Sequence, residues 1–327
     1  MFSVVIPLYN KAHIIDRTIT SVLAQSFKVF EVIIVNDGST DNSIEVINQY
    51  LSDARIKVIH QDNQGVSSAR NKGVLEAKFN YIAFLDADDE WLPDFLAKNI
   101  EAIRLFPNAG MFGCTSWHKN IITGHSNNST LNRYANKIQR INYFENPHVM
   151  PHTSAMVVSK KIFNQVFVNG EGFPLGMKCC EDYACFNRMA FFTSIVYIGF
   201  PLAIRNNGVA GQITGLSSDD RFSLLTHVIK YYNLTYFSWI NQKIRNKAYV
   251  IFLKYDLRHR IMVALRSNDN RTIHFILTEL HSNVLSNFSK FEIFLYNTKK
   301  LNFIAKCYIY YTKIIWRRYG YPRVGGE

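Results

Sequence analysis

Two phosphate-binding signatures are missing from this chain. No G-x-G-x-x-G follows its first apolar run, and no G-x-x-x-x-G-K-[ST] occurs anywhere. Both motifs use glycines to bring backbone N–H groups onto phosphates, so their absence argues against a dinucleotide oxidoreductase and a phosphate-loop NTPase. Cysteine is scarce. The five, Cys114, Cys179, Cys180, Cys185 and Cys307, are too few and too irregular for a disulfide scaffold and fit a reducing compartment. Cys179, Cys180 and Cys185 lack the C-x₂-C spacing of zinc sites and read as small packing residues. No hydrophobic run is long enough to span a bilayer. The uncharged stretch between Arg188 and Arg205 holds Thr193, Ser194, Gly199 and Pro201, short of the ~20 apolar residues required. The opening MFSVVIPLYN has no basic region before its apolar run, unlike a secretory signal. These features predict a cytoplasmic protein with no spanning helix.

What is present is enough for a sizeable core: 48% of the 327 residues are hydrophobic and 19% charged, which excludes wholesale disorder. The formal net charge of +12 is unevenly spread. Residues 1–215 hold 19 Lys and Arg against 18 Asp and Glu, whereas 216–327 hold 18 against 7, with eleven of the eighteen tyrosines. Two units are expected, joined near the loop Asn206–Ser218 with its three glycines.

The first 120 residues alternate short β-branched runs with amphipathic windows. Strands are expected at Ser3–Leu8, Val32–Val35, Lys57–His60, Tyr81–Leu85 and Met111–Ser116. Helices are expected over Ala12–Gln25, after Thr40 or Asp41, and over Ser67–Ala77 and Asp94–Phe106. Such alternation implies an α/β fold whose mostly parallel sheet has helices on both faces. Asp37 then follows the second strand, Asp62 the third, and Asp86, Asp88 and Asp89 the fourth, at the carboxyl edge where open α/β sheets bind ligands. Each acid taken singly suits a turn or a helix cap. Asp86-Ala87-Asp88 after a buried strand suits a hard divalent cation.

Four blocks carry a resemblance: VVIPLYNKAHIIDRTITSVLAQSF, EVIIVNDGSTDNS, NQGVSSARNKGV and YIAFLDADDEW, in this order over residues 2–117. Together they resemble family 2 glycosyltransferases, with looser likeness through HTSAMVVSKKIF (152–163) and CEDYACFNRM (180–189). The resemblance implies a GT-A fold and inverting, hexosyl-type transfer from a nucleoside-diphosphate sugar, most simply a UDP-sugar. It implies that Pro7 and Tyr9 border the base, that Asp37 accepts from it, and that Arg70 approaches base or diphosphate. Asp86, with Ala87 beside it, would face the ribose, and Asp88 would ligate Mg²⁺ or Mn²⁺. Asp182 would be the general base and Glu181 its neighbour, with Arg188 six residues on. A helix over Glu181–Phe192 would put Asp182 near an N-terminus, where the helix dipole favours negative charge. As a capping acid, Asp182 would instead pair with Arg188. His152 is a candidate acceptor contact. The expected division is a GT-A domain over 1–215 (nucleotide-binding half 1–117, acceptor-binding half 118–215) and a basic, aromatic-rich helical region over 216–327. Trp117–Pro147, rich in Asn and Ser, is expected to include mobile elements over the acceptor site.

The proline-free 219–318 stretch reads as helical. Its Tyr308–Tyr319 end, which mixes aromatics with Lys313, Arg317 and Arg318, suits either a solvated face or an anionic headgroup layer. A saccharide or lipid-linked acceptor at the inner face of a bacterial membrane, in surface polysaccharide or glycolipid synthesis, would fit that layer. Two rivals are weaker. A nucleotidyltransferase making an activated sugar would show a glycine- and basic-rich loop after the first strand, where PLYNKAH offers only Lys11. A nucleic-acid-binding protein would suit the pI of about 9.4, but no RNA- or DNA-binding signature appears and the basic excess lies away from the acid cluster, so no nucleic-acid partner is expected.

Overall fold

β1 (Phe2–Leu8) and β2 (Phe30–Asp37) are buried at every position. Continuous Val and Ile runs of this kind belong to strands covered on both faces. In the computed structural model, which describes residues 1–128, 130, 134–146, 151–210, 212, 222–241 and 247–319 (less the side chains of 247, 313 and 315–319), they are adjacent interior strands of one large sheet. β3 (Ile56–Gln61) pairs in parallel with β2, and β1 in parallel with β4 (Tyr81–Phe84). The helices between them, α1 (Ile15–Leu23), α2 (Ser43–Asn48) and α3 (Val66–Glu76), fall where the periodicity puts them.

Beyond β4 the sheet becomes mixed. β9 (Met156–Ser159) runs antiparallel between β4 and β6 (Met111–Asn120), and β10 (Ile195–Asn207) runs parallel to β6. β5 (Glu90–Trp91) caps the edge of β10, while β7 (Ser126–Asn128) and β8 (Ile138–Ile141) pair with β6 and β10. β10 has no clean sequence signal because Gly199 and Pro201 interrupt it. Both sit at the register shifts between Ile198 and Ala203, the irregular positions where a strand tolerates proline. α4 (Phe95–Leu105), α5 (Lys160–Val166) and α6 (Glu181–Met189) complete this part.

α3 packs unusually close to β1. A Cβ on Gly73 would stand 2.3 Å from Val5 Cγ1, so only glycine permits the approach. One turn earlier on the same helix is Arg70, which the close packing carries to the strand ends.

The chain divides into two units, Met1–Ile141 with Val149–Leu216, and Asn142–His148 with Ser217–Glu327. The short segment belongs to the second unit because Tyr143 and Phe144 pack against Tyr249 and Phe252. That unit is helical over Leu225–Ile240, Lys247–Arg266, Asn270–Glu279, Ser282–Leu285, Lys290–Asn297 and Asn302–Tyr319. Inside it Arg258 donates twice to Glu292 Oε1, at 2.9 and 2.6 Å, and both are buried. Of the junction loop expected over Asn206–Ser218, the first two residues end β10, and 211 and 213–218 lie outside the described residues. Within Trp117–Pro147, where mobile elements were expected, residues 129, 131–133 and 147 lie outside them too.

Candidate active site

The carboxyl ends of β1, β2 and β4 form the rim the sequence points to. Asp37 ends β2 and is 3% exposed. Its Oδ1 accepts from Gln61 Nε2 (2.7 Å) and Gln64 N (2.8 Å), and its Oδ2 from Gly65 N (2.8 Å). Gly65 precedes α3 with φ 89°, a conformation open to glycine that turns its N–H onto the carboxylate. Asp37 therefore pins the start of α3 to the end of β2, and its Oδ2, which takes one bond where Oδ1 takes two, keeps an acceptor site to spare. Pro7 is buried in β1 and Tyr9, just beyond, is 45% exposed. Asp62 is exposed and contributes nothing to this knot.

The acids after β4 are neutralised one by one. Asp86 Oδ1 accepts from Arg70 at 2.7 Å. Burial alone would raise its carboxyl, but Arg70 outweighs burial and holds it below its ordinary value. Asp88 Oδ2 lies 3.0 Å from Lys11 Nζ and 3.2 Å from Gln212 Nε2. Asp89 turns inward: Ser154 Oγ donates to its Oδ2 (2.6 Å) and Asn206 N to its Oδ1 (3.0 Å). Burial, then the charges of Asp86 and Asp88, push its carboxyl well above the usual range. Asp89 is thus a strut between β4, β9 and β10. Thr18 ties the same turn to α1, donating to the carbonyls of Ala87 and Asp89.

Among the described residues, no three His, Cys, Asp or Glu side chains form a metal-ligand set, so a cation held by protein alone does not fit here. A cation shared between Asp88 and a diphosphate does fit, because Mg²⁺ is commonly held by one or two carboxylates plus substrate phosphates. Lys11 already sets a positive charge on that oxygen.

Arg70 joins the two halves of the rim. Its guanidinium donates to Asp86 on one side and, at 2.7 Å, to Glu181 Oε1 on the other, over the ring of Phe173 at 5.2 Å. Burial, then Asp182, raise the Glu181 carboxyl against the pull of Arg70. Asp182 Oδ2 accepts from Thr153 Oγ1 at 3.1 Å. The residue before this pair, Cys180, has φ 61°, a left-handed backbone that costs a side-chain-bearing residue on the order of 1–3 kcal/mol and concentrates at functional sites.

His152 stands 3.8 Å from Asp89 Oδ2, and burial, with Arg205 and His118 near, pushes its imidazole down to about 3. It is neutral, and its Nε2 is buried with no hydrogen-bond partner among the described residues. Arg188 goes elsewhere, lying over the Phe167 ring at 4.7 Å. Sequence reasoning missed Thr153 and Ser154, the hydroxyls after His152 that connect the rim acids. It also passed over Gln212 and the contact between Lys11 and Asp88.

The family model for glycosyl transferase family 2 matches residues 3–167. The chain belongs to that family. An uncharacterized glycosyltransferase of Nostoc is 35% identical over 175 residues, 50% of this chain and 52% of that one. The putative teichuronic acid biosynthesis glycosyltransferase TuaG of Bacillus subtilis is 44% identical over 103 residues, 31% of this chain and 41% of TuaG. The matched stretch thus spans about half, or less, of these curated relatives. The crystal structure of S. aureus TarS residues 1–349 in complex with UDP-GlcNAc superimposes with a TM-score of 0.66 at 16% identity, covering 98% of this chain and 93% of that one. The fold is GT-A with a helical C-terminal region. Among the described residues no helix is long and apolar enough to cross a membrane.

Proposed function

We propose that this protein is a glycosyltransferase that inverts configuration and is metal-assisted, moving a sugar from a UDP-type donor to a saccharide or lipid-linked acceptor in the synthesis of a bacterial surface polysaccharide or glycolipid. The observation that carries this reading is the pair of hydrogen bonds that Arg70 donates, one to Asp86 and one to Glu181. It draws the acid pair 181–182 to the same rim as the nucleotide-facing acids, although 111 positions separate Arg70 from Glu181. The teichuronic acid name of one relative and the UDP-GlcNAc bound by TarS support the donor and acceptor classes.

In this reading Tyr9 stacks on the base, Asp37 accepts from it, and the accessible edge of Asp86 takes the ribose. Charge growing on the departing nucleoside diphosphate is what Mg²⁺ or Mn²⁺ at Asp88 would offset. Asp182 removes the proton of the acceptor hydroxyl as that oxygen attacks opposite the leaving group. The Thr153 hydroxyl fixes the orientation of Asp182, and neutral His152 lines the acceptor side. Calorimetric titration of nucleoside diphosphates with and without Mn²⁺ tests the site. A UDP-selective, Mn²⁺-dependent response that is lost in Asp88→Ala is expected; a response indifferent to both metal and substitution overturns the reading.

The second unit suits the inner face of an anionic membrane. Phe291, Phe294, Phe303, Tyr310 and Tyr311 are exposed, close in sequence to exposed Lys290, Lys299 and Lys300. Of the Tyr308–Tyr319 segment, the side chains of 313 and 315–319 lie outside the described residues. Each cation near such a surface contributes on the order of 1 kcal/mol. Flotation of the full chain with phosphatidylserine vesicles, but not neutral ones, is expected. Lys299→Gln with Lys300→Gln should weaken it by roughly thirtyfold, the equivalent of about 2 kcal/mol; equal flotation with both vesicle types counts against the contact.

A further inference from the structure

One partly buried cation at the rim has no part in that scheme. Lys11 lies between β1 and α1, its side chain only 14% exposed, with Nζ 3.0 Å from Asp88 Oδ2 and 3.0 Å from the Ala210 carbonyl. The backbone that aims it is fixed from the far side. Asn10 N donates to Ser39 Oγ, Lys11 N to Ser43 Oγ and Ala12 N to Asp41 Oδ2, at 3.0–3.1 Å, and Asn10 itself adopts a left-handed φ of 51°. A free surface lysine keeps its rotamer freedom; this one has given that freedom up to sit on one carboxylate oxygen. Gln212 Nε2 shares that oxygen and also donates to the Asn206 carbonyl at 2.6 Å.

We propose that Lys11 is an exchangeable counter-ion: it neutralises Asp88 while the nucleotide site is empty and passes to the donor diphosphate when a dication takes Asp88. The inference rests on the reading of Asp88 given above. An ammonium and a dication cannot share one carboxylate oxygen without strong repulsion. The diphosphate arrives with the excess negative charge that both cations need, and the flexible stem of lysine lets its compact charge move between anions. A dication arriving alone must displace Lys11 without offering it a new partner, so it binds weakly. The same exchange takes Lys11 off the Ala210 carbonyl and Gln212 off Asp88, loosening the end of β10 as the donor loads.

Mn²⁺ binding to the full chain, followed by electron paramagnetic resonance, separates the two roles of Lys11. Lys11→Met is expected to bind Mn²⁺ alone about tenfold tighter than the parent, and UDP in the presence of Mn²⁺ about tenfold weaker. Lys11→Gln, which keeps a donor without the charge, should do the same and serves if the methionine variant folds poorly. Unchanged or weakened affinity for Mn²⁺ alone overturns the proposal. Asp88→Asn identifies which claim has failed. If it abolishes Mn²⁺-dependent UDP binding while the Lys11 variants change nothing, only the counter-ion role falls; if it changes nothing, both fall.

Discussion

Asp182→Asn is expected to cut sugar transfer by about 10²–10⁴-fold, the usual contribution of a positioned general base, while UDP affinity stays within twofold. Asparagine keeps the volume and can still accept from the Thr153 hydroxyl now 3.1 Å from Asp182 Oδ2, so the start of α6 should hold its shape. The substitution removes only the capacity to take a proton. It also lifts a repulsion: Asp182 helps to raise the Glu181 carboxyl, so without that charge Glu181 pairs with Arg70 more firmly and the nucleotide side of the rim stays assembled. Steady-state transfer measured beside calorimetric UDP titration checks both halves. Turnover within tenfold of the parent removes Asp182 from the role of base. Parallel loss of UDP affinity would instead mean that the residue supports the rim.

The parts of this architecture legible in the sequence are those with a local signal. The all-apolar β1 and β2, the helical spacing of Ile15, Ile19 and Val22, and the acids at strand ends each show within a ten-residue window. Arg70 and Glu181 were legible one at a time, through the blocks that contain them, but their bond was not. The mixed half of the sheet escaped because β9 is four residues long and β10 is broken by Gly199 and Pro201. The inward turn of Asp89 escaped for another reason. Nothing beside it distinguishes it from Asp88; its partners Ser154 and Asn206 lie 65 and 117 positions away. Burial separates the two acids, and burial there depends on strands the sequence barely marks. Lys11 was read as too little for a phosphate loop, and only the folded chain brings it to Asp88.

Arg70→Met should destabilise the protein by about 3–5 kcal/mol at neutral pH, the cost typical of removing one partner from a buried ionic cluster. Methionine fills much of the aliphatic path of arginine and keeps an apolar contact with Phe173, so the loss is chiefly one of charge. Its pH dependence identifies the cause. In the parent, Asp86 is held below its ordinary value, so its contribution is present above the unfolded pKa of about 3.9 and disappears as pH falls through the folded one. Glu181 is raised, so its contribution runs the other way and stability declines as pH rises from about 4.3 through its folded value. Without the guanidinium both carboxyls move upward. The folded variant then holds more protons than the unfolded chain, and its stability falls steadily above about pH 4. Thermal melts of parent and variant from pH 4.5 to 8 should therefore show a small gap at the acid end that widens towards neutrality. A gap of constant size would assign the loss to packing over Phe173 instead. Arg70→Lys retains the charge but lacks the fork that reaches Asp86 and Glu181 together; it should melt between the two with a shallower slope, and it keeps the test open if the methionine variant does not fold.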